Sequence, residues 1–170
     1  MIALDTNILV YARRAETAHH ASARKLVKDL AEGDEPWALP WPCVYEFLRV
    51  VTHPRVFDPP TVLEAALTDL ESLLESPSLV LLHEGSAHVT YFQRMIGEGE
   101  ARGNLVHDAH IAALVLEHGV RELWSTDRDF ARFPGVRSRN PFTDPAVHER
   151  RRRYGSSAGK RARRRRTPTT

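Results

Sequence analysis

Short apolar runs alternate with stretches of helical periodicity along most of this chain, and that alternation leaves few architectures open. Ile2-Ala3-Leu4, Trp37-Ala38-Leu39, Leu79–Leu82 and residues 122–125 and 136–139 read as strands, each only a few residues long. Between them the spacing predicts helices opening at Ile8 and over residues 18–31, 42–52, 61–75, 85–102 and 106–118, punctuated by Gly33, Pro60, Pro77, Gly103 and Gly119. Pro42 suits the first turn of its helix, and Gly119 the position just beyond one. The uninterrupted apolarity of Leu79–Leu82 predicts a strand covered on both faces. Strands this short, separated by amphipathic helices, predict an α/β protein, a three-layer α/β/α sandwich with a mainly parallel central sheet.

At 170 residues and 42% hydrophobic content the chain can bury one core. We expect a single folded domain over residues 1–144. No apolar run approaches the roughly 18 residues that span a bilayer, and the first residues lack the basic start of a signal peptide, so a cytoplasmic protein without membrane contact is expected. The lone Cys43 excludes an internal disulfide and, set among Val44, Phe47 and Leu48, reads as a small core residue. Residues 1–145 hold 14 Lys+Arg against 21 Asp+Glu, a net −7, whereas residues 146–170 hold 10 against 1, a net +9. The body is acidic, and the Arg-rich tail over 145–170, without apolar periodicity, is expected to be disordered in isolation.

Four acids stand beside segments expected to be buried: Asp5, Glu46, Asp108 and Asp127. A buried ionised carboxylate must find a proton, a counter-charge or a metal, and no nearby Lys or Arg is placed to serve all four. Each acid also has a plainer explanation. Asp5 follows the first strand and is a good helix N-cap, although Thr6 could serve as well. Glu46 shares a helix face with Cys43 and Val50 but has Arg49 three residues on. Asp108 opens the helix containing the run from Ile111 to Leu116, where dipole stabilisation of about 0.3–1 kcal/mol is the alternative role. Asp127 and Asp129 flank Arg128 in Ser125-Thr126-Asp127-Arg128-Asp129-Phe130, where turn chemistry would suffice.

Taken together the acids point to one oxygen-only cation site, suited to Mg2+ or Mn2+ and, if open to solvent, to phosphodiester hydrolysis. Active sites of parallel α/β sheets gather at the carboxyl ends of strands, where Asp5 and Asp127 are expected. A zinc site built from His107 and His110 with His19, His20 or His83 is disfavoured, since there is no His-Glu-x-x-His pattern. The chain also lacks a glycine-rich phosphate loop, a Gly-x-Ser-x-Gly elbow and a dinucleotide fingerprint.

In Leu4-Asp5-Thr6-Asn7, Glu46, His107-Asp108-Ala109 and the Ser125–Phe130 motif, the chain resembles the PIN-domain ribonucleases, specifically the VapC-type toxins of bacterial toxin–antitoxin pairs. The resemblance covers about residues 1–142. It implies an Mg2+- or Mn2+-dependent endoribonuclease, with RNA hydrolysed by a metal-activated water attacking phosphorus in line, a homodimer, and inhibition by a small cognate antitoxin protein. It further implies that Asp5 and Asp108 are direct metal ligands, that Glu46 and Asp127 complete the site, with Asp129 the alternative fourth acid, and that Thr6, Ser125 and Thr126 orient carboxylates. Competing readings are a PIN nuclease with a non-toxin role and a non-catalytic nucleic-acid-binding protein acting through the tail. An aspartyl phosphatase is disfavoured, because Asp5-Thr6-Asn7 lacks a second Asp.

The family pattern does not include the Arg-rich tail, which reads either as a solvated extension of no catalytic consequence or as a segment that draws an acidic body toward RNA phosphates. Removing residues 145–170 is expected to lower RNA affinity and flatten its salt dependence; an unchanged slope in a salt titration would refute a phosphate-binding role.

Overall fold

In a computed structural model, which describes residues 1–143, five strands form one fully parallel sheet. The elements are β1 (Ile2–Leu4), α1 (Thr6–Arg13), α2 (His20–Ala31), β2 (Trp37–Pro40), α3 (Trp41–Val51), α4 (Leu63–Leu74), β3 (Leu79–Leu82), α5 (His88–Glu98), α6 (Leu105–Glu117), β4 (Glu122–Trp124) and β5 (Ser138–Arg139), with a 3-10 turn at Asp129–Arg132. The predicted α/β/α sandwich is the observed architecture. The basic tail lies outside the described residues.

Strand order is β3-β2-β1-β4-β5, with Ile2 beside both Trp37 and Glu122. The chain thus starts in the middle of the sheet, winds outward through β2 to β3, and returns across the sheet to β4. Parallel neighbours require crossovers, and right-handed crossovers place α1 to α4 on one face and α5 and α6 on the other. The reversal leaves a crevice between the carboxyl ends of β1 and β4, the place where such sheets bind ligands.

The core explains why these short strands hold. Ile2, Ala3, Leu4, Trp37, Ala38, Leu39, Leu123 and Trp124 are fully buried. In α6, Ile111, Ala112, Ala113, Leu114 and Val115 are buried nearly all round, as the apolar run predicts. That helix ends in a Schellman motif: Gly119 takes φ +60°, its N–H donates to Leu116 O, and the Val120 N–H donates to Val115 O.

Two expectations change. β3 pairs only with β2 and forms a sheet edge, with Val80 40% exposed, so its apolar run is not covered on both faces. The helix expected over residues 85–102 is confined to His88–Glu98, because the chain turns at Gly85 to Ala87 and leaves the helix at Gly99, ahead of the left-handed Glu100 and Gly103. The remaining helices and strands shift by one or two residues at their ends.

Leu114→Ala is expected to cost about 2–5 kcal/mol through lost burial and a cavity, against little change for the partly exposed Leu74→Ala. Urea midpoints at constant m value would measure both.

Candidate metal and active site

Asp5 is both a helix cap and the buried anchor of the site. It leaves β1 in extended conformation, its N–H donates to Trp124 O, and its Oδ1 accepts the Thr6 N–H at 2.7 Å. Its Oδ2 accepts the Ser125 hydroxyl at 2.6 Å and the Asn7 amide at 2.5 Å. Only 5% of the residue is exposed. Burial pushes its carboxyl up to about 7, against the lowering effect of the Ser125 and Thr6 hydrogen bonds, and the charges of Asp108 and Glu46 push it further in the same direction.

Ser125 ties β4 to this anchor. Its hydroxyl donates to Asp5 and accepts from Asn7 Nδ2 at 2.9 Å and from the Asp127 N–H at 2.9 Å. Asn7 also accepts the Thr126 N–H at 3.3 Å, so it spans the ends of β1 and β4. The acid positions were legible in the sequence, but this role of Asn7, which stands there only as a member of the Leu4-Asp5-Thr6-Asn7 motif, was not. Its signal was the position two residues after Asp5, which depends on β1 and β4 being neighbours. The Thr126 hydroxyl lies 3.2 Å from the Tyr11 hydroxyl, so Thr126 reaches the acid cluster through its backbone.

Glu46 and Asp108 arrive from the two helical layers, on α3 and α6, which touch each other. Glu46 Oε2 accepts the Thr6 hydroxyl at 3.3 Å, while Oε1 pairs with Arg49 at 3.0 Å. Glu46 therefore makes the expected pair with Arg49 through one oxygen while the other faces Thr6. Asp108 is raised to about 6, first by burial, then by the charges of Asp127, Glu46 and Asp129, with His107 opposing. Asp127 outweighs Asp129 in this effect, and Asp129 instead meets Arg132 at 3.4 Å and donates its N–H to Asp127 Oδ1 at 2.8 Å. Among the described residues no Lys or Arg forms an ion pair with Asp5, Asp108 or Asp127.

The arrangement grades from buried Asp5 through half-buried Glu46 and Asp108 to exposed Asp127. Such a gradient suits a site open to a large substrate. The oxygen donor set and the uncompensated repulsion fit a hard divalent cation. Three of the roughly four lone-pair sites on Asp5 accept hydrogen bonds from Thr6, Asn7 and Ser125, and the Cys43 thiol makes a long fourth contact to Oδ1. Cys43 is fully buried, with its Sγ 4.0 Å from that oxygen and its thiol pushed up well above the usual range by burial, as expected of a core residue.

The PIN domain family model matches residues 2–136. The chain belongs to the PIN-domain family. Among curated PIN proteins, ribonuclease VapC43 of Mycobacterium tuberculosis is 42% identical over 142 residues, which is 84% of this chain and 96% of that protein. Ribonuclease VapC48 of the same organism is 36% identical over 139 residues, 82% and 96% of the two chains. This PIN protein is therefore a member of the VapC ribonuclease family. In fold it is similar to VapBC2 from Rickettsia felis, crystallised on a promoter DNA fragment, with a TM-score of 0.61, 22% identity and coverage of 82% and 98%. It is also similar to VapC20 of M. tuberculosis, a sarcin–ricin-loop cleaving toxin, with a TM-score of 0.57, 18% identity and coverage of 81% and 99%. Among the described residues no helix is long and apolar enough to cross a membrane.

Asp5 binds a proton in the folded metal-free protein up to about pH 7, but in the unfolded chain only to about 4. The folded state thus holds more protons across that window, and the stability of the metal-free protein should fall as pH rises from 4 to 7. Added Mg2+ should raise the melting temperature more at pH 8 than at pH 5, because ligands must be deprotonated. Calorimetric scans with and without Mg2+ check both signs.

Proposed function

We propose that this ribonuclease is an Mg2+-dependent endoribonuclease, with Mn2+ the alternative cation, and that it acts in the cytoplasm as the toxin of a toxin–antitoxin pair. The observation that carries the reading is the mutual repulsion of Asp5, Glu46, Asp108 and Asp127 at the carboxyl ends of β1 and β4, with no Lys or Arg among the described residues paired to Asp5, Asp108 or Asp127. Membership among ribonucleases supplies the substrate class, RNA. The VapBC complex among the structural neighbours supports a small antitoxin as inhibitor, and a homodimer belongs to the same reading.

In this reading Asp5 and Asp108 hold the cation directly and Glu46 and Asp127 complete the site. The stronger effect of Asp127 on Asp108 favours it over Asp129 as the fourth acid. Bound Mg2+ would lower the pKa of a water and offset charge on the phosphoryl oxygens. Ser125 and Asn7 keep Asp5 ionisable and aimed, and Thr6 restrains Glu46. Thr126 acts by holding Asn7 through its N–H. Arg49 limits how far Glu46 can swing from the pocket.

Asp5→Asn and Asp108→Asn are expected to reduce Mg2+-dependent cleavage of total RNA by well over 100-fold with circular dichroism unchanged. Ser125→Ala should cost roughly 10–100-fold, the range typical of residues that orient ligands. Full cleavage by either Asn variant, or cleavage unaffected by EDTA, would overturn the reading. Co-expression with the product of the reading frame directly upstream tests the toxin role, with suppression of cleavage expected.

A further inference from the structure

On the far side of α6 from Asp108 lies a second group of ligand side chains, which the proposed nuclease chemistry does not use. Glu84 follows β3, His88 opens α5 and His110 sits on α6. One ligand atom from each lies within 4.8 Å of the others. Two residues along a helix turn through about 200°, so His110 and Asp108 leave α6 in nearly opposite directions. The two groups are distinct.

Their surroundings are built for ligation. His88 Nδ1 lies 3.1 Å from Glu117 Oε2, and both side chains are about nine-tenths buried. With Nδ1–H donating to a carboxylate, Nε2 keeps its lone pair and is the ring atom left for a cation. This is the carboxylate–histidine pairing that fixes tautomer and orientation at zinc centres. Gly85 is part of the same device, since a Cβ there would sit 2.5 Å from Glu117 Oε1. Phe92 flanks the two imidazoles, its ring centroid 5.9 Å from each, while their own centroids are 5.0 Å apart. Without a cation, His110 Nε2 rests on Glu84 Oε1 at 2.8 Å.

We propose that Glu84, His88 and His110 form a zinc site, with Glu117 as the carboxylate that orients His88, and that the ion clips the turn after β3 to α6. Two imidazoles and one carboxylate are a zinc donor set with a fourth position for water, and imidazole disfavours Mg2+. Tetrahedral Zn2+ places its ligands about 3.4 Å apart, so closure requires only a small contraction of side chains, in which the exposed Glu84 exchanges its contact with His110 for the ion. Two separate His–Glu ion pairs would account for each contact alone. They would not account for Glu84, His88 and His110 converging from two different segments. This inference does not rest on the nuclease reading.

The test uses untagged full-length protein stripped with EDTA. Co2+ is titrated while its visible d–d bands are followed, then displaced with Zn2+ in the presence of excess Mg2+. The unsubstituted protein should bind one equivalent with tetrahedral intensity and gain thermal stability with Zn2+. His110→Ala should lose that equivalent, and Glu84→Gln and Glu117→Gln should each weaken it by roughly 10–100-fold. Because Glu84 is exposed, Glu84→Gln keeps the test valid even if His110→Ala fails to fold. The Asp5→Asn/Asp108→Asn double variant should retain the equivalent; its loss there would place the ion among the acids instead and overturn the proposal. Affinity in Glu84→Gln equal to that of the unsubstituted protein would do the same. Failure of RNA cleavage in the acid variants bears only on the nuclease reading.

Discussion

Asp5 sits where β1 stops pairing and α1 begins, and the molecule around it is arranged to tolerate a carboxylate in that place. Its two oxygens accept from the first turn of α1, from Asn7 and from Ser125 on the neighbouring strand. These bonds only partly offset the cost of burial, and the residual tension shows in a carboxyl raised to about 7. A carboxylic acid held near neutrality by desolvation and by like charges is poised to exchange its proton for a cation.

The topology makes that tension collective. Because the chain begins in the central strand and returns to the sheet on its other side, the ends of β1 and β4 are adjacent and the loops after them diverge. Helices from opposite layers, α3 and α6, close over this crevice and deliver Glu46 and Asp108. Neither helix could be redirected without uncovering core, since Cys43, Val44 and Phe47 on one and Ile111 to Val115 on the other are buried. The acids are therefore held together by the packing of their apolar neighbours, at a Coulombic cost that only an added positive charge removes.

Much of this was legible in local pattern. The strand and helix order followed from apolar periodicity, and the acids stood out because each interrupts or borders an apolar stretch. The errors have local causes. An apolar run cannot reveal that its strand is an edge, so the exposure of Val80 was missed. Gly103 was the expected helix end, but the helix stops ahead of Gly99, where the backbone packs so closely that an added Cβ would meet Phe133 at 2.6 Å. The sequence could not separate Asp127 from Asp129 because their difference in surroundings comes from the short 3-10 turn, where Asp129 meets Arg132.

By itself the sequence determined the fold class, the number and order of elements, and which acids border apolar segments, because periodicity, capping and charge pairing act over a few residues. The tertiary structure alone decided that Asn7 bridges two strands 118 residues apart in sequence at Ser125, and that Glu84, His88, His110 and Glu117 meet across α5 and α6. Such contacts depend on strand order and helix packing, which bring distant residues within a hydrogen bond of one another and leave no spacing rule in the chain.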